Sequence, residues 1–391
     1  MSLWWAKKEQ LDPEQLRLIE RLPLRESQLI LGPPGSGKTN VLLRRAQFVR
    51  SQTMPNVLVL TFTRALTEFV KTGCFDAQNR EIFPRNLVST IEMWIRSIYK
   101  DHNRSLPDTI GMDLSARKSF LASEALSFST ARRTPMYDTI FVDEAQDLLS
   151  SEVELLRSWS QTLFFVGDDR QKIYEGAAGL EAIRSQILPL NEERLPFHYR
   201  LAPEICEMAD RIQMSETGSA LSMTSHYSGP RPGRIQANGP FPRSEQIQQA
   251  SGLIKDQLRA YADLIAQGDR IGIVVPRKDQ RELVLQALEA DPALAGKAQI
   301  IRARSGETDD RSYNPAFDAD CPLAILTEKG SKGLEFRAVH WLFCNESAYY
   351  RTTQMYYTVV TRAKTRLDLY FDADLPMPLA KSHAPSEQTD W

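Results

Sequence analysis

The feature that most constrains the fold of this chain is the run Gly-Pro-Pro-Gly-Ser-Gly-Lys-Thr at residues 32–39. It fits the pattern GxxxxGK[ST], in which glycines let successive backbone N–H groups surround phosphate oxygens. An apolar strand candidate precedes it at 28–31, and a helix candidate follows at 39–49. The segment therefore predicts a nucleoside triphosphate site where a strand meets a helix. The residues expected at the phosphates are Gly35, Ser36, Gly37, Lys38 and Thr39.

Short apolar strand candidates alternate with longer amphipathic helix candidates along the chain, which predicts an α/β fold with parallel sheets. A length of 391 residues fits two doubly wound halves. We expect the first domain to span residues 1–191 and the second to span 192–391. Residues 101–135 are interpreted as a small insertion in the first domain, and the tail after Asp374 is predicted to be poorly ordered.

The composition excludes several classes of protein. Lys and Arg total 48 against 50 Asp and Glu, so the net charge of -2 excludes a histone-like polycation but not a local basic groove. No apolar run approaches the length of a membrane span, and the start of the chain lacks a signal-peptide core. The four cysteines are scattered without a CxxC pair. The sequence therefore predicts a reduced, cytoplasmic protein with no membrane partner and no zinc site.

A second candidate for the same chemistry lies after the strand candidate at 139–142. Asp143 is suited to a second Mg²⁺ contact beside Thr39, and the adjacent Glu144 is suited to activating water. An Asp-Glu pair after a strand is by itself often a solvated turn, so the interpretation depends on the phosphate loop upstream. Together the two segments predict ATP and Mg²⁺ as the cofactors, with Thr39 and Asp143 as the metal-binding residues.

The run DEAQD at 143–147, combined with the phosphate loop, resembles the UvrD/Rep-like branch of superfamily one helicases. Further runs similar to the family's motifs follow in its order: TFTRA at 61–65, VSTIE at 88–92, VGDDRQKIY at 166–174, HYR at 198–200, TEKGSKGLEF at 327–336 and VTRAK at 360–364. The resemblance spans nearly the whole chain. It implies two tandem RecA-like P-loop domains with the ATP site in the cleft between them.

The same resemblance implies roles for single residues. It implies that Gln15 reads adenine and that Glu335 lies near the ribose. The catalytic residues it implies are Lys38, Glu144, Gln171, Arg200 and Arg362, with Gln171 and Arg200 at the γ-phosphate and Arg362 as the arginine finger. The nucleic-acid contacts it implies are Phe62, Thr63, Arg64, Thr90, Tyr174 and Thr327. Phe62 and Tyr174 are candidates for base stacking, against the alternative that these rings belong to the core.

The function predicted in this way is an ATP-dependent single-stranded DNA translocase or helicase that moves 3′ to 5′. DNA is favoured over RNA as the partner, although no motif decides between them. The chain departs from the family's pattern in four places. Glu175, Gly176 and Ala177 stand where members carry a Trp-Arg element, Lys329 replaces a histidine, Glu92 and Met93 replace a His-Ser or Asp-Ser pair, and no room remains for a second insertion.

These departures keep one alternative open, a nucleic-acid-stimulated regulatory ATPase subunit that gates a partner nuclease without processive unwinding. A further alternative is a P-loop kinase or a GTPase. The DEAQD run and the paired arginines argue against both, and the sequence also has no NKxD signature of a GTPase.

Overall fold

The structure is a computed structural model that describes residues 5–52, 54–76, 78–129, 134–171, 176–213, 219–230, 232–302, 317–318, 320–346 and 352–383. The chain divides into two compact units, Trp5–Leu195 and Pro196–Trp391, called here the N-terminal and the C-terminal unit.

The N-terminal unit is built on a six-stranded sheet in which all neighbouring strands are parallel. Its strands are β1 (Ser27–Leu31), β2 (Val57–Thr61), β3 (Val88–Thr90), β4 (Tyr137–Val142), β5 (Ser160–Gly167) and β6 (Leu190–Arg194). The spatial order is β3-β2-β4-β5-β1-β6. All five residues of β2 are buried, as expected for a parallel strand that is covered on both faces.

Helices alternate with these strands. They are α1 (Pro13–Glu20), α2 (Lys38–Ser51), α3 (Arg64–Thr72), α4 (Ile91–Asp101), α5 (Leu114–Ser129), α6 (Ser150–Trp159) and α7 (Gly179–Gln186). Helix α5, the helix of the predicted insertion, packs on α4 and α6. Its residues Leu121, Ala122 and Ala125 belong to the same buried cluster as Trp94 and Trp159. The helix is therefore part of the core of the unit.

A buried guanidinium fastens α1 to α2. Arg45 is 2% exposed, and it donates to the carbonyl oxygens of Ile19 and Leu22 at 2.8 Å and of Pro23 at 3.0 Å. These carbonyls lie at and beyond the end of α1, where a helix leaves acceptors unpaired. Burial lowers the pKa of Arg45 to about 10. The first helix is thereby held against the helix that follows the phosphate loop.

The C-terminal unit contains a second six-stranded parallel sheet, in the order β7-β12-β11-β8-β10-β9. Its strands are β7 (Arg234–Asn238), β8 (Ile271–Val275), β9 (Ala298–Ile300), β10 (Leu323–Thr327), β11 (Phe336–Trp341) and β12 (Ala363–Tyr370). Its helices are α8 (Pro203–Ile212), α9 (Arg243–Ala260), α10 (Ala262–Ala266), α11 (Lys278–Glu289), α12 (Thr353–Val360) and α13 (Met377–His383). Ile247 and Ile254 of α9 pack with Ile271 and Ile273 of β8 in one buried cluster.

The predicted fold class is confirmed: this is an α/β protein with two six-stranded parallel sheets, an arrangement consistent with tandem RecA-like domains. The prediction of a poorly ordered tail after Asp374 is wrong for residues 377–383, which form α13. The reason is that Leu379 is fully buried and the helix packs on α8 and α12. In the part of the chain that the structure describes, every helix is too short or too polar to cross a membrane.

Candidate functional site

The phosphate loop connects β1 to α2, as its sequence predicts. Gly35 and Gly37 have φ angles of 73° and 83°, in the left-handed region where a side chain is strained. The Lys38 ammonium folds back over the loop and donates to the carbonyl oxygens of Gly32 at 2.7 Å and Pro33 at 2.9 Å. The Ser36 hydroxyl oxygen is buried and makes no hydrogen bond among the described residues. The loop therefore holds a cation and an unsatisfied polar oxygen, which fits a phosphate-binding cradle.

Gln15 lies in α1 and reaches this loop. Its Nε2 donates to the carbonyl oxygen of Ser36 at 2.9 Å, and its Oε1 accepts from the backbone N–H of Asp12 at 3.1 Å. A Cβ added at Gly37 would lie 2.8 Å from Gln15 Nε2, and the φ of 83° at Gly37 would strain any side chain there. Gln15 thus ties the start of the first helix to the phosphate loop, and its role at adenine stays a prediction.

The two residues predicted to bind a metal, Thr39 and Asp143, are in contact. Asp143 follows β4, and its Oδ2 accepts from the Thr39 hydroxyl at 2.8 Å. The carboxyl is 2% exposed, and burial together with the neighbouring Glu144 charge raises the pKa of Asp143 to about 7. A hydroxyl and a carboxylate are the oxygen ligands that Mg²⁺ takes beside nucleotide phosphates. Among the described residues no group of three or more His, Cys, Asp and Glu is arranged to hold a metal.

Glu144 adopts an unusual backbone conformation. Its φ of 54° lies in the left-handed region, which costs a non-glycine residue of order 1–3 kcal/mol and is found most often at functional sites. Its Oε2 accepts from Gln146 Nε2 at 2.5 Å. Gln146 in turn accepts from the backbone N–H of Asp168 at 3.1 Å, which links the end of β4 to the end of β5. This connecting role of Gln146 is not predicted from the sequence, although the residue lies inside the DEAQD run.

The segment after β5 carries Gln171. Gln171 is 3% exposed, and its backbone N–H donates to the carbonyl oxygen of Asp168 at 3.3 Å. Burial raises the pKa of Asp168, and the charges of Lys38 and Arg170 offset only part of this effect. Gln171 therefore lies on the same edge of the sheet as the phosphate loop and Asp143. Tyr174, also predicted in this segment, lies outside the described residues.

Four residues predicted to contact nucleic acid lie at the carboxyl ends of β2 and β3. Thr63 caps α3 by accepting from the Leu66 N–H at 3.2 Å, and Thr90 caps α4 by accepting from the Met93 N–H at 3.1 Å. The two strands are neighbours, with Thr61 opposite Thr90. The N-termini of α3 and α4 therefore lie side by side at this edge of the sheet. Phe62 and Arg64 are half-buried beside them.

The C-terminal unit brings three other predicted residues together at the amino edge of its sheet. Arg200 NH1 and Glu335 Oε2 form an ion pair at 3.2 Å. Burial alone would raise the pKa of Glu335, but the charges of Arg200, Lys364 and Arg362 hold it below its usual value. Arg362 is 3% exposed and donates to the carbonyl oxygens of Thr358 at 2.8 Å and Leu334 at 3.0 Å.

A buried ion network next to this trio is not predicted from the sequence. The fully buried Asp269 carboxylate accepts from Lys364 Nζ at 2.6 Å and from Arg337 Nε at 2.8 Å. Burial lowers the pKa of Lys364 to about 8, although Asp269 and Glu335 favour its charged form. Thr327 does not join these residues, because it ends β10 at the opposite, carboxyl edge, where its hydroxyl accepts from the Gly330 N–H at 3.1 Å.

The fold and the first unit's site define a P-loop nucleotide-binding domain. Residues 15–177 match a family model described as an AAA domain. A comparison with curated proteins gives no match. Among solved structures, the chain is similar to the structure of PRRSV helicase, with 14% sequence identity and a TM-score of 0.43 over 89% of this chain and 53% of that chain. The chain therefore spans about half the length of that helicase structure. The AAA-domain match implies that the N-terminal unit binds ATP.

Proposed function

We propose that this protein is an ATP-dependent translocase or helicase that moves 3′ to 5′ on single-stranded DNA. The observation that carries the proposal is the arrangement of one sheet edge. Along the strand order β1-β5-β4-β2-β3, the carboxyl ends present the phosphate loop, Gln171, Asp143 with Glu144, and then the two capped helix N-termini. The residues proposed for nucleotide chemistry and the surface suited to anions thus lie along one edge of the same sheet.

The ATP site in this proposal uses side chains that are already close together. Lys38 lies over the phosphate loop and would move from the Gly32 and Pro33 carbonyls to the β- and γ-phosphates. Thr39 and Asp143 would hold Mg²⁺, which when bound neutralises charge on the phosphates. Glu144 would orient the attacking water and accept its proton, and the hydrogen bond from Gln146 fixes its carboxylate for that task.

The charges proposed to act at the γ-phosphate from the second unit are Arg200 and Arg362. Developing negative charge in phosphoryl transfer is stabilised by fixed cations, and an arginine finger contributes about 10³–10⁵ in turnover. Support comes from the cluster in which both guanidiniums lie, beside Glu335. In this proposal the binding and hydrolysis of ATP drive a conformational step, and this step couples hydrolysis to movement.

The nucleic-acid path proposed here runs over the ends of β2 and β3. The first turns of α3 and α4 leave backbone N–H groups that suit phosphate oxygens, and Arg64 adds a positive charge. Phe62 supplies an aromatic face for a base, and such stacking contributes about 1–3 kcal/mol per base. These contacts are independent of base sequence, as a motor that moves along a strand requires.

A regulatory ATPase that gates a partner nuclease is the second candidate. The specific observation in its favour is that the predicted insertion contributes a single core helix, α5, with no separate subdomain among its described residues. Such a protein would hydrolyse ATP in response to nucleic acid without moving along it.

The test is steady-state ATP hydrolysis with and without single-stranded DNA, followed by displacement of streptavidin from biotinylated oligonucleotides. Glu144→Gln is expected to lower turnover by about 10²–10³. Arg362→Ala is expected to lower it by roughly 10³ or more. Glu154→Gln and Arg157→Ala are matched controls, because both side chains are exposed on α6.

DNA-stimulated hydrolysis with displacement from the 5′ end alone supports the motor and its polarity. Stimulation without displacement at either end contradicts the motor and favours the regulatory ATPase. Turnover that is unaffected by DNA contradicts both.

A further inference from the structure

The first turn of α5 lies among three segments that the proposed function uses. Arg117 NH2 pairs with Glu92 Oε1, in the first turn of α4, at 3.3 Å. Lys118 lies over the ring of Phe62, at the end of β2. A Cβ added at Gly176, shortly after the predicted Tyr174, would lie 3.8 Å from Ser115. The start of α5 therefore lies at the same edge as the proposed nucleic-acid path, although no motif marks it.

Lys118 makes the most specific of these contacts. Its ammonium lies 4.3 Å from the centroid of the Phe62 ring, and it pairs with Glu152 Oε1 at 3.1 Å. The side chains of Lys118 and Glu152 are only 14% and 1% exposed. Glu152 is itself fixed, because its Oε2 accepts from the Leu149 N–H at 2.9 Å at the start of α6. The ammonium is thus held in one place between a buried carboxylate and an aromatic face.

We propose that Lys118 is a positioning residue for nucleic-acid binding, which holds the Phe62 ring so that a base of the single strand stacks on it. The inference rests on the proposed function, since it deepens the role of Phe62 at the same site. Phe62 is half-buried at a strand end, and a cation over one face of its ring favours one rotamer. In this proposal the base stacks on the face of the ring that the ammonium does not cover.

In this proposal the Lys118 ammonium acts on the Phe62 ring and the Glu152 carboxylate, and it does not contact a phosphate of the bound strand. A phosphate contact would appear in the salt dependence of binding, because each phosphate neutralised on a single strand adds about 0.7 to the slope of log K against log salt. A residue that only orients a ring leaves that slope unchanged. The two roles are therefore distinguishable by experiment.

The experiment measures binding of fluorescein-labelled oligo-dT by anisotropy at several salt concentrations. The variants are Lys118→Met, Lys118→Arg, Phe62→Ala and the double variant Lys118→Met with Phe62→Ala. Lys100→Met, on an exposed position at the far end of α4, is the matched control. Because Lys118→Met leaves Glu152 buried without its partner, Lys118→Met with Glu152→Gln is a second form of the test, and thermal unfolding checks that each variant is folded.

Phe62→Ala is expected to weaken binding about 5- to 150-fold. Lys118→Met is expected to weaken it about 2- to 30-fold with no change in salt slope, and Lys118→Arg is expected to restore it. In the Phe62→Ala background, Lys118→Met is expected to change binding less than about twofold, because the residue acts through the ring.

A salt slope reduced by about 0.7 in Lys118→Met would make it a phosphate ligand and overturn the positioning role. Equal effects of Lys118→Met in both backgrounds, or no effect in either, would also overturn it. If wild-type protein fails to bind oligo-dT, the proposed function falls and this inference falls with it. If wild type binds and only the Lys118 results fail, the proposed function stands.

Discussion

Asp143 gives a quantitative prediction about the cost of burying a carboxylate next to Glu144. Its carboxyl has an ordinary pKa of 3.8, and burial with the Glu144 charge raises the pKa to about 7 in the folded protein. The folded state therefore favours the protonated form. The stability associated with this carboxyl is fully present below pH 3.8 and is lost as the pH rises through about 7. The full difference corresponds to roughly 4 kcal/mol, at about 1.36 kcal/mol per pH unit.

Asp143→Asn removes the ionisation and keeps the shape of the side chain. The amide can still accept from Thr39, but the Glu144 N–H that donates to Asp143 Oδ1 at 2.9 Å loses its acceptor, at a pH-independent cost of about 1 kcal/mol. The free energy of unfolding of the variant minus that of wild type should therefore rise by about 2–3 kcal/mol between pH 5 and pH 8.

The assay is urea unfolding of nucleotide-free protein in EDTA at each pH, followed by tryptophan fluorescence, to which Trp94 and Trp159 in the core of the N-terminal unit contribute. The pH 5 measurement is the internal control. At pH 5 the variant lacks the same hydrogen bond as at pH 8, but most of the free-energy cost of ionising Asp143 in folded wild type is absent. A difference that stays constant from pH 5 to pH 8, or that falls, would refute the assignment of a raised pKa to this carboxyl.

Two further predictions concern buried side chains. Arg45→Met is expected to lower the free energy of unfolding by roughly 2–4 kcal/mol, because three carbonyl oxygens lose their donor. Urea unfolding checks this, with the exposed Arg157→Met as control. A loss of stability equal to that of the control would contradict the role of Arg45 in joining α1 to α2. Native protein is expected to react with a thiol reagent at Cys321 alone, because the other three cysteines are buried. Burial also raises the pKa of Cys74 and Cys206 to about 12, which leaves little reactive thiolate. After unfolding, all four cysteines are expected to react. Rapid reaction of more than one native thiol would show that the cores open readily.

The sequence predicts the fold well where a strand is both apolar and buried. Strands β1, β4 and β8 contain the apolar runs 29–31, 140–142 and 271–275, and each strand lies inside its sheet between two neighbours. Strand β6 escapes prediction because its sequence, Leu-Asn-Glu-Glu-Arg, is polar and its side chains are exposed or half-buried. It is held at the sheet edge by backbone pairing to β1, which any sequence can make. Strands β3 and β9 are three residues long, too short for a period to be recognised.

The contacts of the candidate site also differ in how far the sequence predicts them. Contacts made within one motif, such as Lys38 across its own loop, follow from local spacing, and so does the approach of Thr39 to Asp143 once a parallel sheet is assumed. The Arg200 pair with Glu335 joins residues 135 positions apart, and no spacing rule predicts it.

Lys118 shows why such contacts stay hidden in a single sequence. It lies 56 positions after Phe62 and 34 before Glu152, in a segment interpreted from the sequence as a small insertion in the first domain. A lysine on an amphipathic helix is most often solvated, so neither composition nor periodicity distinguishes this one. Only the packing of α5 on α6 brings its ammonium to the end of β2. Since the same packing fixes Glu152, the orientation of an aromatic ring at the proposed nucleic-acid surface depends on the core of the unit rather than on the motif that contains the ring.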